Sequence, residues 1–313
     1  MGIKHSVGLL VNSKAPKLYA RISEFFSYLR YYSRKYTRPE NYAKALEKSY
    51  YRTTGKNMDI NHPETYSQKM QWLKLYDPNK MRSELTDKVK VRDWITNTIG
   101  EQYLIPIYGV YDSFDDIDFD VLPDSFVIKT NHGSGWNIVV PDKKQFDKKE
   151  ARKKINKWMK IDYSFWTVFE IHYSAIKPKI IIEKYVTDHN GELNDYKFLC
   201  FNGVCKYVWV DFDRSTNHKR NVYDMNWNLQ PWNQFTYGNK LGGGIHKPEN
   251  FEEMANIANQ LCKGFIHVRV DLYNVDGKVY FGEMTFTNGS GLEGIYPETY
   301  EKYLGDEIHL PMD

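Results

Sequence analysis

Apolar residues recur at steps of four and three through Leu18, Ile22, Phe25, Leu29, Tyr32 and Tyr36. This spacing predicts one amphipathic helix over residues 17–38. Its remaining charges are Lys17, Arg21, Arg30, Arg34, Lys35 and Arg38 against Glu24 alone. Such a stripe can dock on the main body of the protein, or lie on an anionic membrane surface. Residues 39–100 read as mostly helical, with a break at Asn61-His62-Pro63-Glu64. The clearest helical stretches are 68–75 and 85–99, with Ser83 and Asp87 as capping residues. The pattern then shortens. Strands are predicted at 126–129 and 137–140, and a helical stretch at 144–176. An apolar strand follows at 179–186, then a hairpin of 196–201 and 204–211 through Asn202-Gly203. Residues 212–247 look irregular, and 251–264 predicts a helix. Helices mixed with this many hairpins indicate an α/β (α+β) class with antiparallel sheets.

The last hairpin is the most informative segment. Val268-Arg269-Val270-Asp271-Leu272-Tyr273 and Val279-Tyr280-Phe281-Gly282-Glu283-Met284-Thr285 flank the turn signal Asp276-Gly277. Strand side chains alternate faces. A plain two-residue loop would pair position 271 with 282 and turn Glu283 away from Asp271. A shared face requires an odd loop, or a bulge that restores the register. With both carboxylates on one face, the pair suits Mg²⁺, which one or two carboxylates hold together with substrate phosphates. The alternative is a solvated hairpin with ordinary surface acids.

Two further segments carry chemistry. Phe126-Val127-Ile128-Lys129 ends in a cation, and Thr130-Asn131-His132-Gly133-Ser134-Gly135-Trp136 follows. Glycines let backbone N–H groups wrap phosphate oxygens, and a lysine adds a point charge. A strand after the loop suggests a flap over phosphates. A tight hairpin with an incidental lysine is the alternative. Ile180-Ile181-Ile182 runs into Glu183-Lys184-Tyr185-Val186. That strand end can offer backbone groups to a purine edge, with Tyr185 and Val186 beside the ring. It can equally be a strand end reaching solvent.

The 43 basic and 40 acidic residues leave a net charge of +3, so no overall field argues for nucleic acid. Cys200, Cys205 and Cys262 are odd in number and lack metal-ligand spacing. Cys200 and Cys205, in strand-like sequence, read as core thiols, and the protein is expected in the reducing cytoplasm or at the inner face of the membrane. No apolar stretch approaches the roughly 20 residues that span a bilayer.

Taken in order, these pieces resemble an ATP-grasp enzyme, and more closely the TupA-like ATP-grasp family of teichuronopeptide biosynthesis. Further segments carry the resemblance. They are Thr65-Tyr66-Ser67-Gln68-Lys69-Met70-Gln71-Trp72-Leu73, Thr86-Asp87-Lys88 with Val91-Arg92, and Asp195-Tyr196-Lys197-Phe198-Leu199-Cys200-Phe201-Asn202-Gly203. It implies two antiparallel-sheet lobes enclosing ATP, with a helical N-terminal extension. The division it suggests is 1–50 for that extension and 51–125 for a preceding region. The flap and hinge would then occupy 126–186, and the larger lobe 187–313.

The resemblance places Lys88 and Lys129 on phosphates, under a flap of His132, Gly133, Ser134 and Gly135. It places Glu183 to Val186 at the adenine hinge. Asp271 and Glu283 would be ligands of one or two Mg²⁺ ions. Family members carry Asn where this chain has Thr285, a weaker ligand, so Asn288 or water could substitute. The implied activity is joining a carboxylate to an amine through an acyl phosphate. Arg269 would clamp that group, Lys197 would reach phosphate, and Arg214, in a cationic loop, would contact phosphate or the acidic acceptor. The acceptor would be a small molecule or glycan, such as a uronic acid or amino acid of a bacterial surface polysaccharide. The competing expectations are a glycosyltransferase using acids such as Asp211, and a membrane-docking protein working through residues 17–38.

Overall fold

The computed structural model describes residues 16–312, apart from 190, 192, 213–217 and 235–244. Eleven strands appear among the described residues. In chain order they are β1 (Ile107–Tyr111), β2 (Phe126–Thr130), β3 (Asn137–Val140), β4 (Ile180–Lys184), β5 (Asp195–Phe201), β6 (Val204–Phe212), β7 (Lys219–Asp224), β8 (Asn233–Gln234), β9 (His267–Val275), β10 (Lys278–Thr285) and β11 (Ile295–Tyr296). They form an antiparallel four-stranded sheet, β1-β4-β2-β3, and an antiparallel five-stranded sheet, β10-β9-β5-β6-β7. β8 and β11 make a separate pair.

In the small sheet β4 is central and reads Ile-Ile-Ile-Glu-Lys, buried through Glu183. Phe126, Ile128, Ile180 and Ile182 meet Ala151 and Ile155 of the helix Lys148–Trp158. β1 comes from before residue 126, so the small sheet draws on the segment assigned to the preceding region.

The large sheet is covered on both faces. Along β5, Tyr196, Phe198 and Cys200 turn towards the helix Phe251–Leu261, with Val208, Val268 and Val270 beside them. Leu199 and Phe201 turn to the other face, where the helices Tyr42–Thr54 and Tyr66–Tyr76 cover Trp209 and Val222. The thiols of Cys200, Cys205 and Cys262 lie within 4.8 Å of one another inside the first of these cores. Cys200 and Cys205 are buried core thiols as expected, and Cys262 joins them; their clustering is not visible in their spacing.

The hairpin β9–β10 bears out the register argument. Val275 pairs with Lys278 across a two-residue turn, with Asp276 at φ 51° and Gly277 at φ 84°. Both central residues of such a tight turn need positive φ, which glycine accepts without strain and aspartate tolerates. The pairing then shifts between Phe281 and Glu283, so Gly282 forms a bulge and Glu283 lies opposite Asp271. A Cβ on Gly282 would stand 3.0 Å from the Asp271 carbonyl, so the bulge favours a residue without one.

Several expectations are corrected. The stretch 144–176 is not one helix. It divides into Lys148–Trp158, a short turn Tyr163–Trp166 and a 3₁₀ turn Ile171–Tyr173. Asp162 restarts the chain by accepting from Ser164 N at 3.0 Å, and Phe169 sits at φ 56°. The stretch 85–99 breaks into Met81–Thr86 and Val91–Thr98. Asp87 interrupts it in extended conformation, its carboxylate accepting from Val89 N at 2.9 Å and from Asn131 Nδ2 at 2.8 Å. Residues 219–224, expected to be irregular, form β7. The pattern hides this strand because Arg220 is buried by pairing with Asp211, a partner no hydrophobicity profile reveals.

The N-terminal helix runs Pro16–Lys35. From Ile22 onward its expected stripe does not dock: Ile22, Phe25, Leu29, Tyr32 and Tyr36 are all exposed, as is Phe26 beside them. Tyr28, Tyr31 and Arg34 make the contact with the body instead. No helix among the described residues is long and apolar enough to cross a membrane.

Candidate active site

Lys129 on β2 and Glu183 on β4 form an ion pair at the edge of a hollow. Lys88 closes the same hollow and donates from Nζ to the Gly133 carbonyl at 2.7 Å. Burial lowers the Lys88 ammonium, while the nearby Glu283 works the other way. The apolar walls are Leu85, Val91, Leu104, Ile105 and Phe281, with Arg92 and Glu283 at the rim.

The loop between β2 and β3 is held from behind. Asn131 donates from Nδ2 to Asp87 at 2.8 Å and to the Lys177 carbonyl at 3.0 Å, and it accepts from Lys179 N at 2.6 Å. Trp136 stacks parallel to Trp158 at 6.1 Å and meets Tyr163 edge-on at 4.9 Å. A Cβ on Gly133 would come within 2.5 Å of the Trp136 ring, so this position accepts only glycine without rearrangement. Ser134 and Gly135 are the exposed tip.

A second hollow lies under that tip. Ser134, Tyr163, Glu170, His172, Tyr173, Arg269, Glu283, Thr285 and Thr287 line it. The first hollow is nearly closed in this structure, with about 20 Å³ of free space, and the second holds about 220 Å³. Glu283 belongs to both walls. The flap and the acidic hairpin therefore come together in space, with Glu283 at their junction.

Beneath the junction lies a buried charge network. Arg269 grips Asp271 with two bonds, Nε to Oδ1 and Nη2 to Oδ2, both 2.6 Å. The same Nη2 reaches Glu283 at 3.3 Å and the Thr285 hydroxyl at 3.1 Å. Thr285 in turn donates to Glu283 at 3.0 Å. Lys197 sits among Asp195, Asp271 (3.1 Å) and Asp211 (3.7 Å). Burial opposes the charge on Lys197, yet Asp195 and Asp271 outweigh it and raise the ammonium. For Glu283 burial pushes the carboxyl up, but Lys88, Arg269 and Lys197 together hold it below its ordinary value.

This geometry sorts the residues expected from sequence. Lys88, Lys129, Gly133, Ser134, Glu183, Arg269, Glu283 and Thr285 come together around the two hollows. Lys197 does not line either; it is the centre of the carboxylate network. His132 is turned inward, with Nε2 facing the Trp158 carbonyl at 3.2 Å, and burial lowers its pKa. It braces the loop rather than facing a ligand. At the hinge, Lys184 N is taken by the Pro106 carbonyl at 2.9 Å, and the Lys184 side chain is exposed. Tyr185 and Val186 follow the end of β4 and are absent from the wall, which Leu104, Ile105 and Phe281 provide instead. Asn288 faces the core and accepts from the Tyr66 hydroxyl at 2.9 Å, so it is no substitute ligand. Arg214 lies outside the described residues.

The donor set suits a hard cation. Glu283 and Asp271 are opposed on one face, and oxygen ligands of this kind fit Mg²⁺. Glu283 is partly exposed and open to both hollows, whereas both oxygens of Asp271 are engaged by Arg269. Asp271 can join a cation only as Arg269 moves towards other oxyanions.

Sequence reasoning missed the far wall of the second hollow. Glu170 accepts from the Thr287 hydroxyl, and His172 is kept neutral by burial and by the neighbouring Arg82 and Lys74. Behind them Lys74 is fully enclosed, and burial pushes its ammonium down to about 7. No local pattern in the sequence marks them.

Comparison with known proteins places the chain. No curated protein matches it. Among solved structures, it resembles a D-alanine–D-alanine ligase from Bacillus anthracis complexed with ATP. That match has 19% identity and a TM-score of 0.39, spanning 66% of this chain and 56% of that one. An L-amino acid ligase from Bacillus licheniformis matches at 14% identity and a TM-score of 0.44, spanning 72% of this chain and 49% of that one. The chain thus spans about half the length of these structures. The family model described as TupA-like ATPgrasp matches residues 68–309, which takes in both hollows and both sheets. The chain belongs to the TupA-like ATP-grasp family.

Proposed function

We propose that this protein is an ATP-dependent carboxylate–amine ligase that forms an amide through an acyl phosphate. The observation that carries this reading is the position of Glu283 in the common wall of two hollows. One hollow has apolar walls and a lysine-rich rim, a lining whose chemistry suits a purine and its phosphates once the hollow widens. The other has hydroxyls, Arg269 and Glu170, which suit a small polar acceptor. The transferred phosphoryl group would sit at the junction.

The substrate carboxylate attacks the γ-phosphorus there, an O–P bond forms, and ADP leaves. The amine then attacks the acyl carbon, a C–N bond forms, and phosphate leaves. Such chemistry depends on charge neutralisation and alignment rather than on a protein nucleophile. Lys88 and Lys129 would neutralise phosphate oxygens. A Mg²⁺ ion held by Glu283 and Asp271 would supply further charge neutralisation, with Thr285 orienting Glu283. Arg269 has a planar fork that fits the acyl phosphate. Glu170, fixed by Thr287, would hold the incoming ammonium and accept its proton.

In this reading residues 126–186 form the flap-and-hinge lobe and 187–313 the larger lobe, with β1 added to the first from the preceding segment. The resemblance favours a uronic acid or amino acid of a bacterial surface polysaccharide as substrate. Against the glycosyltransferase alternative, which drew on the acids from Asp211 to Asp213, Asp211 is buried and gripped by Arg220 at 2.6 and 2.8 Å, while Asp213 lies outside the described residues.

The test is ADP release and product mass over a panel of uronic acids and amino acids with Mg-ATP. An amide product with stoichiometric ADP is expected. Turnover of a nucleotide sugar without ADP release would defeat the reading.

A further inference from the structure

We propose that the N-terminal helix Pro16–Lys35 and the helix Lys148–Trp158 together form a docking face for an anionic lipid bilayer. The first helix is fixed to the body. Arg34 donates to the carbonyls of Trp166 at 2.9 Å and Thr167 at 2.8 Å, Tyr31 is buried, and Tyr28 meets Trp166 edge-on at 5.6 Å. Despite this anchorage, Ile22, Phe25, Phe26, Leu29, Tyr32 and Tyr36 remain between 43% and 77% exposed. Isolated apolar side chains on a surface are ordinary, but five along one anchored helix, with Tyr36 just past its end, form a patch that needs a partner.

Charge identifies that partner. The helix carries Lys17, Arg21, Arg30, Arg34 and Lys35 against one acid, Glu24. Glu24 is already paired with Lys157 of the second helix. That second helix and the turn after it add their own cations: Lys153 and Lys157 of the helix and Lys160 beyond it share a hollow with Tyr28 and Tyr32. Arg21, Arg30, Lys35, Lys153, Lys154 and Lys160 are all exposed. Aromatic and aliphatic side chains flanked by long basic ones match the boundary between acyl chains and anionic headgroups. A second copy of the chain is the poorer fit, because a symmetric pairing would set these cations against themselves.

Docking has a consequence for the site. A hollow lined by Arg30, Arg34, Trp166, Thr167 and Ser290 shares Thr167 and Ser290 with the acceptor hollow. The acceptor hollow thus opens beside the docking face, and its substrate would be carried on a lipid. This consequence rests on the ligase reading; the docking itself does not.

The experiment is flotation of the full chain with vesicles of phosphatidylcholine, alone or mixed with phosphatidylglycerol. Association with the mixed vesicles only, weakened by salt, is expected. Lys153→Gln and Lys160→Gln should each lower partitioning about fivefold, in line with the worth of one basic residue near such a surface. Phe25→Ser with Phe26→Ser should lower it about tenfold or more. Mg-ATP uptake by calorimetry should stay unchanged in all three variants, which separates docking from the nucleotide site. No association with anionic vesicles by a chain that still takes up Mg-ATP would overturn the proposal. So would a concentration-dependent dimer in light scattering that the double serine variant dissolves.

Discussion

The two hairpin carboxylates should behave differently when removed, although both face the same side of the sheet. The Asp271 side chain is 3% exposed and accepts from Arg269 twice at 2.6 Å and from Lys197 at 3.1 Å. Asp271→Ala would leave two buried cations short of a partner. Removing one member of a buried ion pair costs about 3–5 kcal/mol. With an unfolding entropy of about 2.1 cal/mol/K per residue, a chain of 313 residues should lose roughly 5–8 °C in Tm. The Glu283 side chain is 31% exposed, and its contact with Arg269 is a longer 3.3 Å. Glu283→Gln keeps its volume and a hydrogen-bonding group, so its Tm should move by no more than about 2 °C. Yet it removes the charge at the junction of the hollows, and ADP release should fall by about 100-fold or more. Thermal unfolding followed by circular dichroism, with a coupled ADP assay, measures both. Equal Tm losses in the two variants would refute this difference in the structural weight of the two carboxylates. An Asp271→Ala protein that melts like the parent would refute it as well.

Three further outcomes are expected from the same structure. Lys74 has a folded pKa of about 7. In the unfolded chain its pKa is about 10.4. Between those values the unfolded state binds the extra proton, so stability should climb by about 2–3 kcal/mol from pH 7 to pH 9.5 through this group. Lys74→Met should flatten that climb in urea titrations at the two pH values. Gly133→Ala puts a Cβ within 2.5 Å of the Trp136 ring and should weaken Mg-ATP binding about tenfold or more by displacing the flap, read by calorimetry. Arg34→Ala removes the donor to Phe165, Trp166 and Thr167 and should speed limited proteolysis within residues 16–38, read by mass spectrometry.

Much of the fold was legible because its signals are local. The Asp276-Gly277 turn and the alternation about it located the last hairpin, and the demand that Asp271 and Glu283 share a face required the bulge found at Gly282. The apolar run ending in Glu183 located the central strand of the small sheet. What escaped was non-local. β7 is concealed because its Arg220 is buried against Asp211 of β6. Lys197 looked like a phosphate contact, but Asp195 and Asp271 arrive from its own and the neighbouring strand and enclose it. His132 sits in a glycine loop, where a ligand contact is the natural expectation, yet Trp136 and Trp158 draw it into the aromatic support. Glu170 and His172 lie within the stretch 144–176 that reads as helical, so nothing local announced that they wall a cavity. The N-terminal stripe was legible as a pattern, while the side that docks was decided by Arg34 finding three carbonyls more than 130 residues away.

The most direct test of the central claim is calorimetric titration of the full chain with ATP, with and without Mg²⁺, for the parent and for Lys129→Met. The account predicts saturable, magnesium-dependent binding in the parent and an affinity at least about tenfold weaker in the variant, whose Lys129 would no longer meet the phosphates. A folded parent that gives no heat with Mg-ATP would contradict the account, as would a Lys129→Met chain that binds it unchanged.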